Sequence, residues 1–150
     1  MKLTVLADNN TLIDQYYLGE PAVSYYIEDG GTALLLDVGY SDVFIRNAKT
    51  LHIDLNKITT IAISHGHNDH TRGLEFLSKE VDLRKVQLVA HPDAFKPKFF
   101  EGEAIGSPLS EQQLTSFCRL TLSKTPLKLT ERIIAKRLIF DRHFKRRIVY

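Results

Sequence analysis

Short runs of leucine, tyrosine and β-branched residues recur in the first forty positions, and they predict strands. The runs are Lys2–Ala7, Pro21–Glu28 and Thr32–Val38. An Asp-Gly-Gly segment at 29–31 joins the second run to the third, which predicts a hairpin. The third run is almost entirely apolar, as is typical of a strand covered on both faces, and the polar residue Asp37 lies at its end.

Runs with helical spacing alternate with further β-rich runs along the rest of the chain. Ser41 or Asp42 can cap the first helix, and Ser110 with Gln113 forms a capping-box signature for a later one. The predicted elements are a helix to about Leu51, a strand over 59–63, a helix over Arg72–Lys79 with Leu74 and Leu77 facing inward, a strand over Val86–Ala90, a helix to about Cys118, and strands at Leu120 and Leu122 and over Ile133–Phe140. This alternation after an antiparallel hairpin predicts an α/β fold.

The segment from Lys96 to Pro108 interrupts the alternation. It holds two prolines and two glycines, which favour a loop. We interpret it as a candidate substrate-side or lid loop.

Composition limits the class of protein. A chain of 150 residues with 43% hydrophobic and 25% charged residues is typical of one globular domain and excludes a disordered, collagen-like or disulfide-rich chain. No apolar run reaches the roughly 20 residues that span a bilayer, and the N-terminal residues lack the pattern of a signal peptide, so we expect a cytoplasmic protein with no membrane partner. The single cysteine, Cys118, excludes an internal disulfide and a thiolate metal site, and is expected to be a buried apolar side chain.

Charge is distributed unevenly, although the net charge is only +2. From Lys128 to Tyr150 there are eight Lys and Arg residues against two acidic residues, a balance of +6, which leaves −4 for the rest. A basic tail of this kind indicates a nucleic-acid arm, a docking segment or a terminus of different origin from the rest.

The most informative segment follows the predicted strand over 59–63 and reads His-Gly-His-Asn-Asp-His, from His65 to His70. Histidines two apart on extended backbone point the same way, so His65 and His67 can hold one ion, whereas the adjacent Asp69 and His70 can reach a second. Gly66 permits the tight path that such a loop needs. A divalent ion held by neutral imidazoles lowers the pKa of a bound water to about 7, so the pattern predicts metal-assisted hydrolysis.

Two other interpretations of the histidines stay open: a surface loop without metal, and a structural metal site. Four potential ligands within six residues are rarely assembled for solubility alone. A structural zinc site usually has four closed protein ligands, whereas this cluster divides between two ions and leaves open positions.

These motifs resemble the metallo-β-lactamase superfamily. The resemblance is carried by SHGHNDHTRGL at 64–74 and by the preceding LLLDVGYS at 34–41. Within the superfamily, VLADNNTL at 5–12, GEPAVSYYIEDG at 19–30 and HPDAF at 91–95 resemble the group related to 7,8-dihydropterin-6-methyl-4-(β-D-ribofuranosyl)aminobenzene 5'-phosphate synthase, a group of metal-dependent hydrolases.

The resemblance covers about residues 1–132 and implies an αββα sandwich with a two-metal site at one sheet edge. It implies that His65 and His67 bind the first metal and that Asp69 and His70 bind the second. Zn²⁺ is the expected ion, although imidazole with carboxylate also suits iron, manganese and nickel.

The resemblance also implies roles for residues around the ligands. Asp37 would hydrogen-bond to the histidine loop behind the metals, although a strand-end turn residue is an equally consistent interpretation. Asp69 would orient the metal-bound hydroxide and so act in catalysis. Arg72 stands where such sequences often have glycine, and either shapes the pocket entrance or is simply solvated.

The second half of the family pattern is missing. Members of the superfamily are longer and supply a third histidine, a bridging aspartate and a final histidine, whereas this chain offers only His91 and His143 after His70. We therefore expect an incomplete sandwich: an N-terminal half at 1–132, then an atypical basic tail at 133–150 that arises from truncation or a shifted reading frame. Its apolar strand faces would be exposed. His91 is interpreted as a pocket or helix-entry residue, and its use as a substitute ligand, like that of His143, is the less favoured alternative.

The sequence hypothesis is therefore a metal-dependent hydrolase of a small-molecule ester, phosphoester or similar bond, inactive alone or dependent on a partner. One alternative is half of a split enzyme, completed by a separately encoded C-terminal half or by a homo-oligomer. The other is a binding module that uses Lys145–Arg147 on nucleic acid or another acidic surface. Short charge runs are usually only solvated, so nucleic acid is not the expected partner.

Overall fold

The structure is a computed structural model that describes residues 1–11 and 14–135. Its strands are β1 (Lys2–Ala7), β2 (Ser24–Asp29), β3 (Thr32–Leu36), β4 (Ile58–Ala62), β5 (Gln87–Ala90), β6 (Phe99–Phe100), β7 (Glu103–Ala104), β8 (Arg119–Leu122), β9 (Leu127–Lys128) and β10 (Ile134–Ala135). Its α-helices are α1 (Val43–Thr50), α2 (Asn68–Thr71), α3 (Leu74–Glu80) and α4 (Glu111–Thr115), and short 3-10 turns precede β4 and β5.

Six strands form one mixed sheet in the order β1-β2-β3-β4-β5-β8. The first three are joined antiparallel, and β3, β4, β5 and β8 run parallel. The predicted hairpin and the predicted α/β fold are both confirmed. Since the carboxyl ends of the four parallel strands meet at one edge of the sheet, the loops that follow them are brought together there.

Several predicted bounds shift for local reasons. β3 ends at Leu36 because Asp37 adopts a left-handed backbone with φ of 56°. The helix predicted over Arg72–Lys79 is present as α3, which begins at Leu74 and ends at Glu80, and the short helix α2 before it was not predicted.

Other predicted elements also change. The capping box of Ser110 and Gln113 is confirmed, but α4 ends at Thr115, short of Cys118. The expected loop over 96–108 contains the small hairpin β6–β7. Of the strand expected over Ile133–Phe140, the structure describes Ile134–Ala135, which pair with β9. The remainder of that strand, together with His143 and Lys145–Arg147, lies outside the described residues.

The main core lies between one face of the sheet and the helices. Leu35, Ile61 and Leu88 on adjacent strands are fully buried, and so are Phe44 of α1 and Leu114 of α4. The inward side chains Leu74 and Leu77 of α3 are also fully buried, as their spacing predicts.

The opposite face of the sheet carries a much smaller apolar cluster. Ile27, Leu34 and Ala62 are buried there, partly beneath Leu129 and Ile133. Leu129 and Ile133 do not cover the edge strand β1. Leu3 and Val5 of β1 lie opposite Ile27 and Tyr25 in the register, and they are 54% and 49% exposed. Among the described residues, this face therefore remains partly uncovered.

A buried carboxylate holds the C-terminal segment on this face. Asp29 accepts a hydrogen bond from the Thr130 hydroxyl at 2.5 Å and forms an ion pair with Arg132. The Thr130 hydrogen bond is the main cause that lowers the pKa of Asp29, and the Arg132 contact adds to it. Asp29 thus ties residues 130–132 to the β2–β3 turn.

We expect Asp29→Asn to weaken the protein at neutral pH and much less in acid. A carboxylate whose pKa is lowered on folding stabilises the protein above its ordinary value of 3.8, and the contribution is lost as pH falls through the lower folded value. Urea unfolding of both proteins at pH 7, 5 and 3 measures this. A gap that stays constant down to pH 3 would contradict the expectation.

The single cysteine fits its expected role. Cys118 is 8% exposed, and its thiol donates to the Leu114 carbonyl at 3.2 Å. Burial raises the pKa of Cys118 to about 11, so the thiol is protonated at neutral pH. Within 1–11 and 14–135, no helix has the length and apolar character needed to cross a membrane.

Candidate metal centre

The histidine loop, residues 64–70, lies at the carboxyl edge of the parallel strands. It leaves β4 between the ends of β3 and β5, and backbone hydrogen bonds extend both pairings past the strand ends. Asp37 N–H donates to the Ala62 carbonyl at 2.9 Å, and Ile63 N–H donates to the Val89 carbonyl at 2.9 Å. These bonds place Asp37 beside Ser64, the first residue of the loop.

Asp37 is the anchor of the loop. Its Oδ1 accepts the Ser64 N–H at 2.7 Å, and its Oδ2 accepts the Ser64 hydroxyl at 2.6 Å. The same Oδ2 lies 2.8 Å from Nδ1 of His70. The Asp37 side chain is only 4% exposed, so these contacts act in a largely water-free environment. The structure thus places Asp37 in contact with the histidine loop, and a role behind a metal stays a prediction.

The imidazole rings gather on the outer side of this anchor. His65 lies between the other two, with ring centroids 4.7 Å from His67 and 4.0 Å from His70. Nε2 of His65 is 3.1 Å from Nδ1 of His67, and Nε2 of His70 is 3.6 Å from Oδ2 of Asp69.

The potential ligand atoms form a compact group. One ligand atom from each of His65, Asp69 and His70 lies within 4.8 Å of the others. His67 borders this group through its contact with His65. The four residues named from the sequence therefore meet in one cluster, and their division between two ions stays a prediction.

Two opposite pKa shifts occur in the cluster. Burial, reinforced by repulsion from His70 and His67, lowers the pKa of His65 to about 4. Burial also lowers the pKa of His70, but the hydrogen bond and charge of Asp37, with the charge of Asp69, outweigh it and raise the pKa. His65 is therefore neutral at pH 7, which is the state that a metal ligand requires.

The donor set fits a divalent metal ion. Imidazole nitrogens and a carboxylate oxygen are the usual ligands of zinc and of several other first-row metals. The cluster is half-buried rather than enclosed, and each of its four side chains retains some exposure. Such a group can leave a coordination position open to a substrate.

The short helix α2 orients Asp69 and His70. His67 has an extended backbone and precedes the helix, and the Thr71 hydroxyl donates to its carbonyl at 2.8 Å. The His70 carbonyl accepts the Val38 N–H at 3.1 Å, which joins α2 to the loop after β3. The two candidate ligands therefore sit on a turn that is held at both ends.

An outer loop, residues 91–107, packs against the histidine loop. Ser107 N–H donates to the Gly66 carbonyl at 3.1 Å, and Asn68 N–H donates to the Ile105 carbonyl at 2.9 Å. A Cβ atom on Gly66 would lie 1.7 Å from the Ala94 carbonyl oxygen. The φ of Gly66 is not left-handed, so its backbone conformation does not require glycine. Glycine is required here because the Ala94 carbonyl approaches too closely for a side chain.

Lys98 ties the outer loop together. Its ammonium donates to the carbonyls of Asp93 and Ala94 at 2.9 Å each and to that of Lys96 at 3.2 Å. Burial lowers the pKa of Lys98. Because Ala94 faces Gly66, Lys98 supports the backbone that contacts the histidine loop. This role of Lys98 is not predictable from the sequence, because its acceptors are main-chain carbonyls, which every residue type carries.

We expect Lys98→Met to destabilise the protein by about 1 to 2 kcal/mol, because two part-buried carbonyls and one exposed carbonyl lose their donor while the apolar stem is kept. Urea unfolding measures the loss. The control is Lys85→Met at an exposed position, which should change stability by less than about 0.5 kcal/mol. Equal effects of the two substitutions would argue against a specific role for Lys98.

Two further residues named from the sequence lie around the cluster. Nδ1 of His91 accepts the Asp93 N–H at 3.1 Å, and His91 is not part of the group of mutually close ligand atoms. The guanidinium of Arg72 lies 4.6 Å above the ring of Tyr40 and 3.9 Å from Glu75. Arg72 is therefore packed against neighbours, and its side chain is still 41% exposed.

A family model for the metallo-beta-lactamase superfamily matches residues 18–130. The match includes Asp37 and the whole histidine loop. The chain belongs to the metallo-beta-lactamase superfamily. This confirms the resemblance stated from the two motifs.

Relatives within the superfamily agree with this assignment. The chain is 28% identical over 140 residues to a 7,8-dihydropterin-6-methyl-4-(beta-D-ribofuranosyl)-aminobenzene-5'-phosphate synthase of Methanocaldococcus jannaschii, covering 86% of this chain and 47% of the relative. It is similar to Tm1679, described as a metal-dependent hydrolase of the beta-lactamase superfamily, with a TM-score of 0.69, 23% identity, and coverage of 88% of this chain and 46% of that one. The metallo-beta-lactamase MIM-1 of Novosphingobium pentaromativorans has a TM-score of 0.53 and 21% identity, with 75% and 42% coverage.

The chain spans about half the length of the curated relatives that it matches. The α/β, metallo-β-lactamase-type fold is confirmed, and this chain covers about half of the matched structure. The partly uncovered sheet face is consistent with an incomplete sandwich. The boundary at 132/133 and the origin of the basic tail stay predictions.

Proposed function

We propose that this chain carries the metal-binding half of a metal-dependent hydrolase. His65 and His67 would hold a first ion, and Asp69 with His70 a second. The observation that carries the proposal is the convergence of His65, Asp69 and His70 ligand atoms within 4.8 Å, behind which Asp37 holds the loop in place.

The chain's own residues define what the site can do. A divalent ion held by imidazoles would supply a water acidified to a pKa of about 7. Asp37 keeps Nδ1 of His70 occupied, which directs Nε2 toward Asp69 and the site. Asp69 is 38% exposed, so its second carboxylate oxygen can accept a hydrogen bond from a water and orient it toward a bound substrate.

Zn²⁺ is the proposed ion. Neutral imidazole and carboxylate suit it, and the same set accepts iron, manganese or nickel, so availability decides among them. The substrate is proposed to be a small molecule with an ester, phosphoester or similar bond. The named curated relative is a synthase, so hydrolysis is supported here by the ligand chemistry rather than by that name.

A partner is proposed to complete the site. The chain supplies about half of the length of its relatives, and Leu3 and Val5 leave apolar surface uncovered on the sheet. A separately encoded C-terminal half or a second copy of the chain would cover that surface and add ligands. The cytoplasm is the proposed location.

Elemental analysis combined with light scattering tests the proposal. We expect one or two zinc ions per chain in a particle of defined mass, and His67→Ala should remove bound metal and any phosphodiesterase or esterase activity. His52→Asn is the matched control, because His52 is exposed and has a left-handed backbone that asparagine tolerates. A wild-type chain that binds no divalent metal, or a His67→Ala variant that binds as much, would refute the proposal.

A further inference from the structure

We propose that Ser64 is a positioning residue of the metal centre, which holds His65 in the tautomer whose Nε2 lone pair faces the site. Ser64 does so by linking His65 to the carboxylate of Asp37, which also contacts His70. The expected effect on metal affinity rests on the proposed function. The assignment of the His65 tautomer rests on the hydrogen-bond geometry.

Ser64 lies between the anchor and the first ring. Its hydroxyl oxygen is 2.6 Å from Oδ2 of Asp37 and 3.0 Å from Nδ1 of His65. Its own N–H donates to Oδ1 of Asp37 at 2.7 Å, so the side chain and the backbone of Ser64 are both held by one carboxylate. The hydroxyl therefore has two polar neighbours and little freedom to turn elsewhere.

The single proton of the Ser64 hydroxyl determines the tautomer of His65. An ionised carboxylate only accepts hydrogen bonds, so the single hydroxyl proton of Ser64 is donated to Asp37. The hydroxyl oxygen can then only accept from Nδ1 of His65. A neutral His65 must carry its proton on Nδ1, and the lone pair of its Nε2 points away from Asp37, toward His67 and the cluster.

The same carboxylate acts on His70 without an intermediary. Nδ1 of His70 lies 2.8 Å from Oδ2 of Asp37, so His70 also carries its proton on Nδ1 and presents Nε2 toward Asp69. Asp37 therefore orients one proposed ligand of each metal: His70 directly and His65 through the Ser64 hydroxyl. Outer contacts of this kind typically change metal affinity by about 10- to 100-fold.

Ser64→Ala and Ser64→Thr test the inference. Alanine removes the acceptor for the Nδ1 proton of His65, whereas threonine keeps a hydroxyl on Cβ. The first readout is the tautomer of His65 in the metal-free full chain at pH 8, from long-range ¹H–¹⁵N correlation spectra. The second is the affinity for Zn²⁺, measured by competition with a chromophoric chelator. Ser78→Ala is the matched control, because the Ser78 hydroxyl donates to a backbone carbonyl within α3.

We expect an Nδ1–H tautomer of His65 in the wild type, in Ser64→Thr and in Ser78→Ala, and a shift toward the Nε2–H tautomer in Ser64→Ala. Zn²⁺ affinity should fall about 10- to 100-fold in Ser64→Ala only. An unchanged tautomer in Ser64→Ala, or a loss of affinity without a change of tautomer, would overturn the inference. A wild type that binds no metal would overturn the proposed function instead, and the tautomer comparison would still decide the role of Ser64.

Discussion

Asp37→Asn should lose about 3 kcal/mol of folding stability together with most of its bound metal. The carboxylate accepts two hydrogen bonds from Ser64 and contacts Nδ1 of His70 while 4% exposed. An asparagine of the same shape has one oxygen and one NH₂ group, so it cannot accept from all three donors. Buried donors left without a partner typically cost about 1 to 3 kcal/mol each, and a broken buried charge contact costs more.

Two measurements on the same samples separate the effects of Asp37→Asn. Urea unfolding at pH 7 reports stability, and elemental analysis reports the metal that remains. The matched control is Asp42→Asn, because Asp42 is exposed and its side chain makes no cap hydrogen bond to α1. It should change stability by less than about 0.5 kcal/mol. A loss below about 1 kcal/mol in Asp37→Asn would show that the anchor is not important for folding.

Gly66→Ala should disrupt the histidine loop through a single methyl group. The added Cβ would lie 1.7 Å from the oxygen and 2.5 Å from the carbon of the Ala94 carbonyl. The obstacle is backbone, so the outer loop and the histidine loop must separate. We expect a loss of about 1 to 3 kcal/mol, as for other overpacked sites. We also expect at least a tenfold loss of metal affinity, because His65 and His67 flank the displaced residue.

Chelator competition and urea unfolding of Gly66→Ala measure both losses. Gly30→Asn is the control: Gly30 has φ of 58° with nothing within 4 Å of an added Cβ, and asparagine tolerates this backbone. Its stability should change by less than about 1 kcal/mol. A Gly66→Ala protein that is as stable as the wild type and binds metal as tightly would mean that the two loops are not closely packed in solution.

The role of Gly66 illustrates where reasoning from sequence stops. The pattern indicated that glycine was needed between two histidines, and a tight turn was the predicted reason. The observed reason is the approach of Ala94, 28 positions further along the chain, which no local pattern encodes. Lys98 is a similar case, because its three acceptors are main-chain carbonyls.

Strand bounds were predicted less well than strand positions for a related reason. Apolar runs indicate where a strand is buried, but the ends depend on backbone geometry and on pairing. β3 stops where Asp37 turns left-handed, and β2 begins only at Ser24, where pairing with β1 begins. The helix predicted from Arg72 begins only at Leu74, after Gly73, whose N–H donates to the Gly39 carbonyl at 3.2 Å, a contact between distant segments.

The sequence by itself determined the class of fold, the hairpin, the inward faces of the helices and the four candidate ligands. Those features depend on residue type and on periodicity, which are local properties of a chain. Only the tertiary structure decided that Asp37 and Ser64 meet, because these residues are 27 positions apart in sequence and follow the ends of two adjacent parallel strands. Hydrogen-bond distances between such strand ends arise from sheet register, and register is settled by the packing of the whole sheet.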